Sequence, residues 1–176
     1  MASSQQPRLS LISIMHDDRY IGNSEGMVPQ LTTHIAFLEK KIANTPVLLG
    51  KQTYALVEDS LAKRRKEQNL VLSKTLPLVE YGIVFPSVDE VLSYGAANGL
   101  ETIIVLGGEQ TFASTIDTAA RLYLTIIHGS KSHENEKAKY FPSIQTHAWQ
   151  NSKWVSYGGY TVAEYERRQK NQKTGV

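Results

Sequence analysis

Residues 46–54 read PVLLGKQTY and residues 102–112 read TIIVLGGEQTF. The two stretches share one design: a short apolar run, a glycine at its end, and then residues suited to start a helix. Strands that are apolar throughout belong to parallel sheets, whose crossover helices cover both faces. In an open sheet of that kind, ligands bind outside the carboxyl ends of the strands. Free N–H groups at a helix start attract phosphate, and glycine lets the phosphate approach the backbone. Two such turns in one small domain suit the two phosphates of a dinucleotide. Neither stretch is a G-x-G-x-x-G or G-x-x-x-x-G-K-[ST] motif, and glycine also closes strand–helix turns that bind nothing.

The flanking sequence continues the pattern. Leu9–Met15 (LSLISIM) predicts a buried first strand, and a polar, glycine-containing loop follows from His16 to Gln30. Thr32 or Thr33 caps a helix whose apolar positions Leu31, Ile35, Leu38 and Ile42 recur at helical spacing. Lys51 to about Glu58 is helical, while Asn69–Leu72 and Gly82–Phe85 are strands. Ser87 with Glu90 forms an S-x-x-E box that starts a helix over Val88–Ala97. Gly107-Gly108 interrupts the strand Thr102–Leu106 before a short helix near Gln110–Ile116, and Arg121–Ile127 is a further strand. Lys153–Ser156 and Tyr160–Glu166 flank Gly158-Gly159 as a terminal antiparallel hairpin.

Composition narrows the function. The 176 residues fit one domain, and no repeat or linker divides them. The absence of cysteine excludes disulfides, thiolate nucleophiles and cysteine-based metal sites, and is compatible with a reducing cytosol. The five histidines are scattered without ligand spacing, so no metal is expected. No G-x-S-x-G elbow supports a hydrolase. The start of the chain lacks a signal-peptide core and no stretch approaches membrane-span length, so a cytoplasmic protein with no membrane partner is expected. The net charge of +2 traces to residues 166–176, where Arg167, Arg168, Lys170 and Lys173 face Glu166 alone. That places the basic excess in a frayed tail and leaves a body near −1, so no nucleic-acid partner is expected.

The ordered set of motifs resembles the dihydrofolate reductase family. LISIM, DDRYIGNSEGM, PVLLGKQTY, NLVLSK, SVDEVL, IIVLGGEQTF, RLYLTII, YFPSI and YTVAEYERR follow in the family's order from about Leu9 to Arg167. The resemblance implies an α/β fold with a mostly parallel eight-stranded sheet, about four helices and a C-terminal antiparallel hairpin. It divides the chain into an N-terminal extension (1–8), one domain (9–167) and a basic polar tail (168–176). It also implies NADPH and a small-molecule substrate, dihydrofolate or a related pterin; a monomer is expected because no exposed apolar helix stripe stands out.

Carried over by residue, the resemblance implies cofactor contacts from Ser13, Ile21 and Gly22, with Met27 in the loop that closes over the nicotinamide. Gly50, Lys51, Gln52 and Thr53 match the phosphate-binding segment. Leu72, Ser73 and Lys74 match the adenosine side, where groups holding a 2′-phosphate favour NADPH over NADH. Leu106, Gly107, Gly108, Glu109, Gln110, Thr111 and Phe112 continue the cofactor contact, with a cis peptide between the two glycines. Ile12, Ile14, Ile35, Leu38, Leu61 and Leu106 match the walls of the substrate pocket, although each reads equally well as plain core. Arg64 matches the arginine that pairs with the glutamate tail of folate, with Arg65 as the alternative because KRRKEQ is longer than the usual family turn.

The pattern departs from the family at the pterin end. His34 stands where the family has the carboxylate that grips the pterin's amino group and adjacent ring nitrogen, while the supporting Thr125 is present. A carboxylate offers two acceptors to two donors; a neutral imidazole offers one acceptor and one donor. Val28-Pro29 replaces the family's proline-tryptophan, and the charged loop 131–140 lacks the usual Gly-Asp-Thr before Phe141-Pro142. His34, Met27 and Thr125 are the candidate catalytic positions. The expected activity is reduction of dihydrofolate to tetrahydrofolate by hydride transfer to pterin C6. A same-fold reductase of another pterin or a pyrimidine, and a non-catalytic NADPH-binding protein, are the alternatives.

Overall fold

The apolar runs that stand out in the sequence become the parallel strands of one sheet. In the computed structural model, which describes residues 5–28, 31–129 and 137–169, these are β1 (Arg8–His16), β4 (Val47–Gly50), β5 (Asn69–Leu72), β6 (Ile83–Phe85), β7 (Thr102–Gly107) and β8 (Arg121–Ile127). They pair in parallel in the order β8-β1-β7-β4-β5-β6. β10 (Trp149–Ser156) and β11 (Tyr160–Arg167) form the C-terminal hairpin, and β11 joins β8 antiparallel. Helices α1 (Thr32–Ile42), α2 (Lys51–Leu61), α3 (Val88–Ala97) and α4 (Glu109–Thr115) complete the mixed α/β fold.

Burial on both faces explains why the strands show no alternation. One core cluster contains Leu9, Leu11, Leu48, Leu70, Ile103 and Val105; another, on other strand positions, contains Ile12, Val47, Leu49, Val71 and Ile104. Alternate residues point to opposite faces of a strand, so both sets must be apolar when helices cover both sides.

Several local expectations are corrected. α1 starts after Leu31 with no side-chain cap, so neither Thr32 nor Thr33 caps it; the Thr33 hydroxyl instead donates to the Tyr160 hydroxyl across 3.3 Å. Its inward stripe is His34, Phe37, Leu38 and Ile42, with Ile35 turned outward and 40 % exposed. Helical spacing fits either stripe, and the packing surface selects the one that includes Phe37. α3 starts as expected, with Ser87 Oγ accepting from the Glu90 N–H at 3.2 Å.

The stretch 16–30 carries structure that its short runs did not signal. β2 (Tyr20–Asn23), β3 (Gly26–Met27) and β9 (Lys139–Tyr140) form a separate three-stranded sheet. β9 comes from far along the chain and pairs with β2 through Gly22↔Lys139 and Tyr20↔Tyr140.

The ends of the chain are also more integrated than the charge count implied. Arg8 already pairs with Thr102, and Pro7 is buried against Gly95, where an added Cβ would lie 2.6 Å from the proline ring. Arg167 donates to the carbonyls of Ile116 and Ala119 and stacks over Trp149 at 4.3 Å. Arg168 Nε donates to the carbonyls of Thr146 and Trp149. These two basic residues are thus tied into the fold and not frayed; residues 170–176 of the tail lie outside the described residues. No helix among the described residues is long and apolar enough to cross a membrane.

Candidate active site

The strand order puts the two glycine turns side by side. β4 and β7 are neighbours, with Leu49 in register with Gly107, so the turn at Gly50 meets the turn at Gly107-Gly108 although more than fifty positions separate them. The fit is close enough to exclude side chains. A Cβ on Gly50 would approach Thr111 Oγ1 to 2.8 Å. Gly107 has φ of +109°, and a Cβ there would meet the Phe112 ring at 2.8 Å; both facts require glycine. The peptide between Gly107 and Gly108 is cis.

A cleft of about 1060 Å³ opens at this carboxyl edge of the sheet. One part is polar, lined by Gly50–Thr53, Gly108–Thr111 and Ser73–Thr75; another is apolar, lined by Ile12, Ile14, Leu38 and Leu106. His34 borders the apolar part, and Ile21, Gly22 and Met27 of the small sheet form a further wall. Its size stands at the upper end for small-molecule sites and leaves room for two ligands together. Among the charged side chains on its lining, Lys51, Lys74 and Lys139 face Glu109 alone, so the cleft favours an anion.

His34 is only 5 % exposed, and its Nδ1 lies 2.9 Å from Thr125 Oγ1. Burial depresses its pKa from 6.5 to about 4, so the ring is neutral at pH 7. The Thr125 hydroxyl then sets what the other ring nitrogen presents. If Nδ1–H donates to Thr125, Nε2 is an acceptor; if the hydroxyl donates to Nδ1, Nε2–H is a donor. A smaller cavity of about 250 Å³, between α1 and strands β8 and β11, also touches His34 and Thr125.

Most of the residues singled out from sequence come together here. Ser13, Ile21, Gly22, Met27, Gly50, Lys51, Gln52, Thr53, Leu72, Ser73 and Lys74 line the cleft, as do Leu106, Gly108, Glu109, Gln110, Thr111 and Phe112. Four residues assigned to the substrate side, Ile35, Leu61, Arg64 and Thr125, do not line it; Thr125 lines the smaller cavity behind His34. Ile35 faces outward, and Leu61 is packed in the core with Ile12, Val47 and Leu49. Arg64 turns inward: Nε donates to Asn69 Oδ1 at 3.0 Å, and its two terminal nitrogens donate to the Ile42 and Thr45 carbonyls at 2.7 and 2.8 Å. Those carbonyls lie at the end of α1, where they have no helical partners. Two of the five guanidinium N–H groups remain uncommitted by these bonds. Among the described residues no cluster of His, Asp and Glu could hold a metal.

Residues 8–168, nearly the whole chain, match the family profile for dihydrofolate reductase. The chain belongs to the dihydrofolate reductase family. Within it, the chain is 28 % identical over 173 residues to dihydrofolate reductase HdrB of Haloferax volcanii, covering 92 % of this chain and 84 % of that one. It is 28 % identical over 142 residues to the dihydrofolate reductase of Bacillus subtilis, with 80 % and 79 % covered. For the Haemophilus influenzae dihydrofolate reductase the identity is 25 % over 159 residues, with 90 % and 91 % covered. As a dihydrofolate reductase family member, the protein is an oxidoreductase acting on a small molecule, and the family implies a nicotinamide cofactor. The polar half of the cleft fits such a group, since glycine turns too tight for a Cβ meet lysines and backbone N–H groups there.

Sequence reasoning missed Lys139, Asn23, Ser24, Thr75 and Ser87 on the cleft lining. Lys139 could not have been found by spacing, because only the pairing of β9 with β2 brings it to the cleft.

Proposed function

We propose that this protein reduces 7,8-dihydrofolate to 5,6,7,8-tetrahydrofolate with NADPH. The observation that carries the reading is one cleft whose phosphate-type half adjoins an apolar half bordered by His34. When bound, the cofactor supplies a hydride from nicotinamide C4 to pterin C6, while N5 takes a proton that originates in water. The chain's part is to align and enclose. Gly50–Thr53 and Gly108–Thr111 hold the phosphates, and Lys51, Ser73 and Lys74 receive the 2′-phosphate. Lys51 Nζ donates to Thr75 Oγ1 at 3.1 Å, beside Ser73 and Lys74, which supports that grouping. Ile12, Ile14, Leu38 and Leu106 form the apolar walls for the ring.

His34 takes one pterin N–H on Nε2 while its own Nδ1–H donates to Thr125. This meets one of the two donors that a carboxylate would meet together, so turnover is limited at this end. The neutral ring also supports a second reading. A heterocycle that presents a single hydrogen-bonding group to Nε2, as another pterin or a pyrimidine can, is matched by His34 more completely than dihydrofolate, which presents two donors there.

The test follows NADPH oxidation with dihydrofolate in wild type and in His34→Asp. Slow wild-type turnover that rises roughly tenfold or more in the variant is expected, since one restored charge-assisted hydrogen bond is worth about 1.5–3 kcal/mol. No turnover in either protein, with NADPH still bound, would replace this reading with another substrate or with a non-catalytic NADPH-binding protein.

A further inference from the structure

Lys139 reaches the cleft from an element that no sequence motif placed there. It lies on β9, opposite Gly22 of β2, so it belongs to the small sheet that also carries Ile21 and Met27. Its ammonium donates to the side-chain carbonyl of Gln52 in the first turn of α2. The next residue repeats the tether, with the Tyr140 N–H donating to Glu109 Oε1 across 2.9 Å. β9 is thereby tied to the beginnings of the two segments that follow the glycine turns.

The charges around Lys139 are not balanced by the protein. Gln52 is a neutral amide, and no ion pair among the described residues includes Lys139. Lys51 and Lys74 line the same cleft, and Glu109, the one carboxylate on its lining among the described residues, leaves the three ammonium groups in excess. An ammonium that faces a cleft with a neutral partner and like charges nearby gains most from an anionic ligand.

We propose that Lys139 is a ligand for the cofactor's pyrophosphate, carried to the cleft by the small sheet. On binding, its ammonium passes from Gln52 to a phosphate oxygen, and the walls at Ile21, Gly22 and Met27 are held against the occupied cleft. The inference rests on the proposed use of a nicotinamide dinucleotide. Position separates it from the other lysines. Lys51 is turned to Thr75 on the adenosine side, whereas Lys139 is turned to the start of α2. Lys139 therefore serves a group that NADPH and NADH share, and Lys74 with Lys51 serves the 2′-phosphate that only NADPH has.

The experiment measures dissociation constants of NADPH and NADH for the full chain and for Lys139→Gln, Lys139→Arg and Lys74→Gln, at two salt concentrations. In Lys139→Gln both dinucleotides should weaken by roughly tenfold, equivalent to about 1.4 kcal/mol, and the salt dependence should become shallower. Lys139→Arg should stay near wild type, because it keeps the charge, while Lys74→Gln should weaken NADPH alone. Unchanged binding in Lys139→Gln, or a loss that Lys139→Arg shares in full, would overturn this role and leave the dinucleotide site standing. Failure of the wild type to bind either dinucleotide would overturn both the role and the site.

Discussion

At the scale of single residues, His34 has the largest consequence, because its environment fixes its charge. The ring is buried against Thr125 and its pKa falls to about 4, against 6.5 for the free side chain. The unfolded chain therefore binds more protons between these two values, so stability is fully present above about pH 6.5 and declines as pH falls toward 4. By pH 5 the loss should be on the order of 2 kcal/mol, read as a lower urea midpoint than at pH 7. His34→Gln should flatten that dependence; a wild-type and variant pair with the same pH response would show that His34 is not buried neutral. The same shift places the His34 ionisation below the range in which the protein would be assayed. The activity profile between pH 5 and 8 should therefore carry no His34 titration. The sequence marked His34 as standing where the family resemblance implies a carboxylate, but its neutrality was not legible there. An unperturbed histidine titrates near pH 6.5, and only the burial of α1 against β8 moves it.

At the scale of elements, two arginines stand at helix ends and supply donors to carbonyls that have no partner within the helix. Arg64 serves the end of α1 through Ile42 and Thr45 and also holds Asn69, which is fully buried. Arg167 serves the end of α4 through Ile116 and Ala119. The cationic group also suits the negative end of the helix dipole. Arg167→Ala should therefore destabilise the protein by roughly 2–3 kcal/mol, since it strands buried carbonyls and removes the stack over Trp149. Arg167→Lys should recover only part, because an ammonium lacks the planar fork. Urea denaturation measures both, and an alanine variant within 0.5 kcal/mol or so of wild type would sink the argument. Charge counting in the sequence had put Arg167 and Arg168 in a loose tail. Composition cannot separate a solvated arginine from one that caps a helix contributed by residues far away in the chain. The small sheet escaped notice for a related reason, since strands of two to four residues carry too little periodicity to register.

At the scale of the whole molecule, the cleft exists because non-adjacent segments of the chain meet at one sheet edge. A ligand that binds only this assembled state adds its binding free energy to folding. NADPH at about a hundred times its dissociation constant should contribute about 2.7 kcal/mol and raise the melting temperature by roughly 5–10 °C. An unchanged melting temperature at millimolar NADPH would count against the proposed cofactor. The sequence by itself determined the parallel core strands, the glycine turns and the family. Each of these is local: a run of apolar side chains suits only a strand covered on both faces, and a glycine is demanded where a Cβ has no room. It also presented His34 and Thr125 as an unusual pair. Tertiary structure alone decided which residues share the cleft. Strand order set β4 beside β7, the inward face of α1 included His34 and left out Ile35, and β9 brought Lys139 across to α2. These choices depend on packing between residues distant along the chain, and no local pattern encodes which distant surface an element will meet.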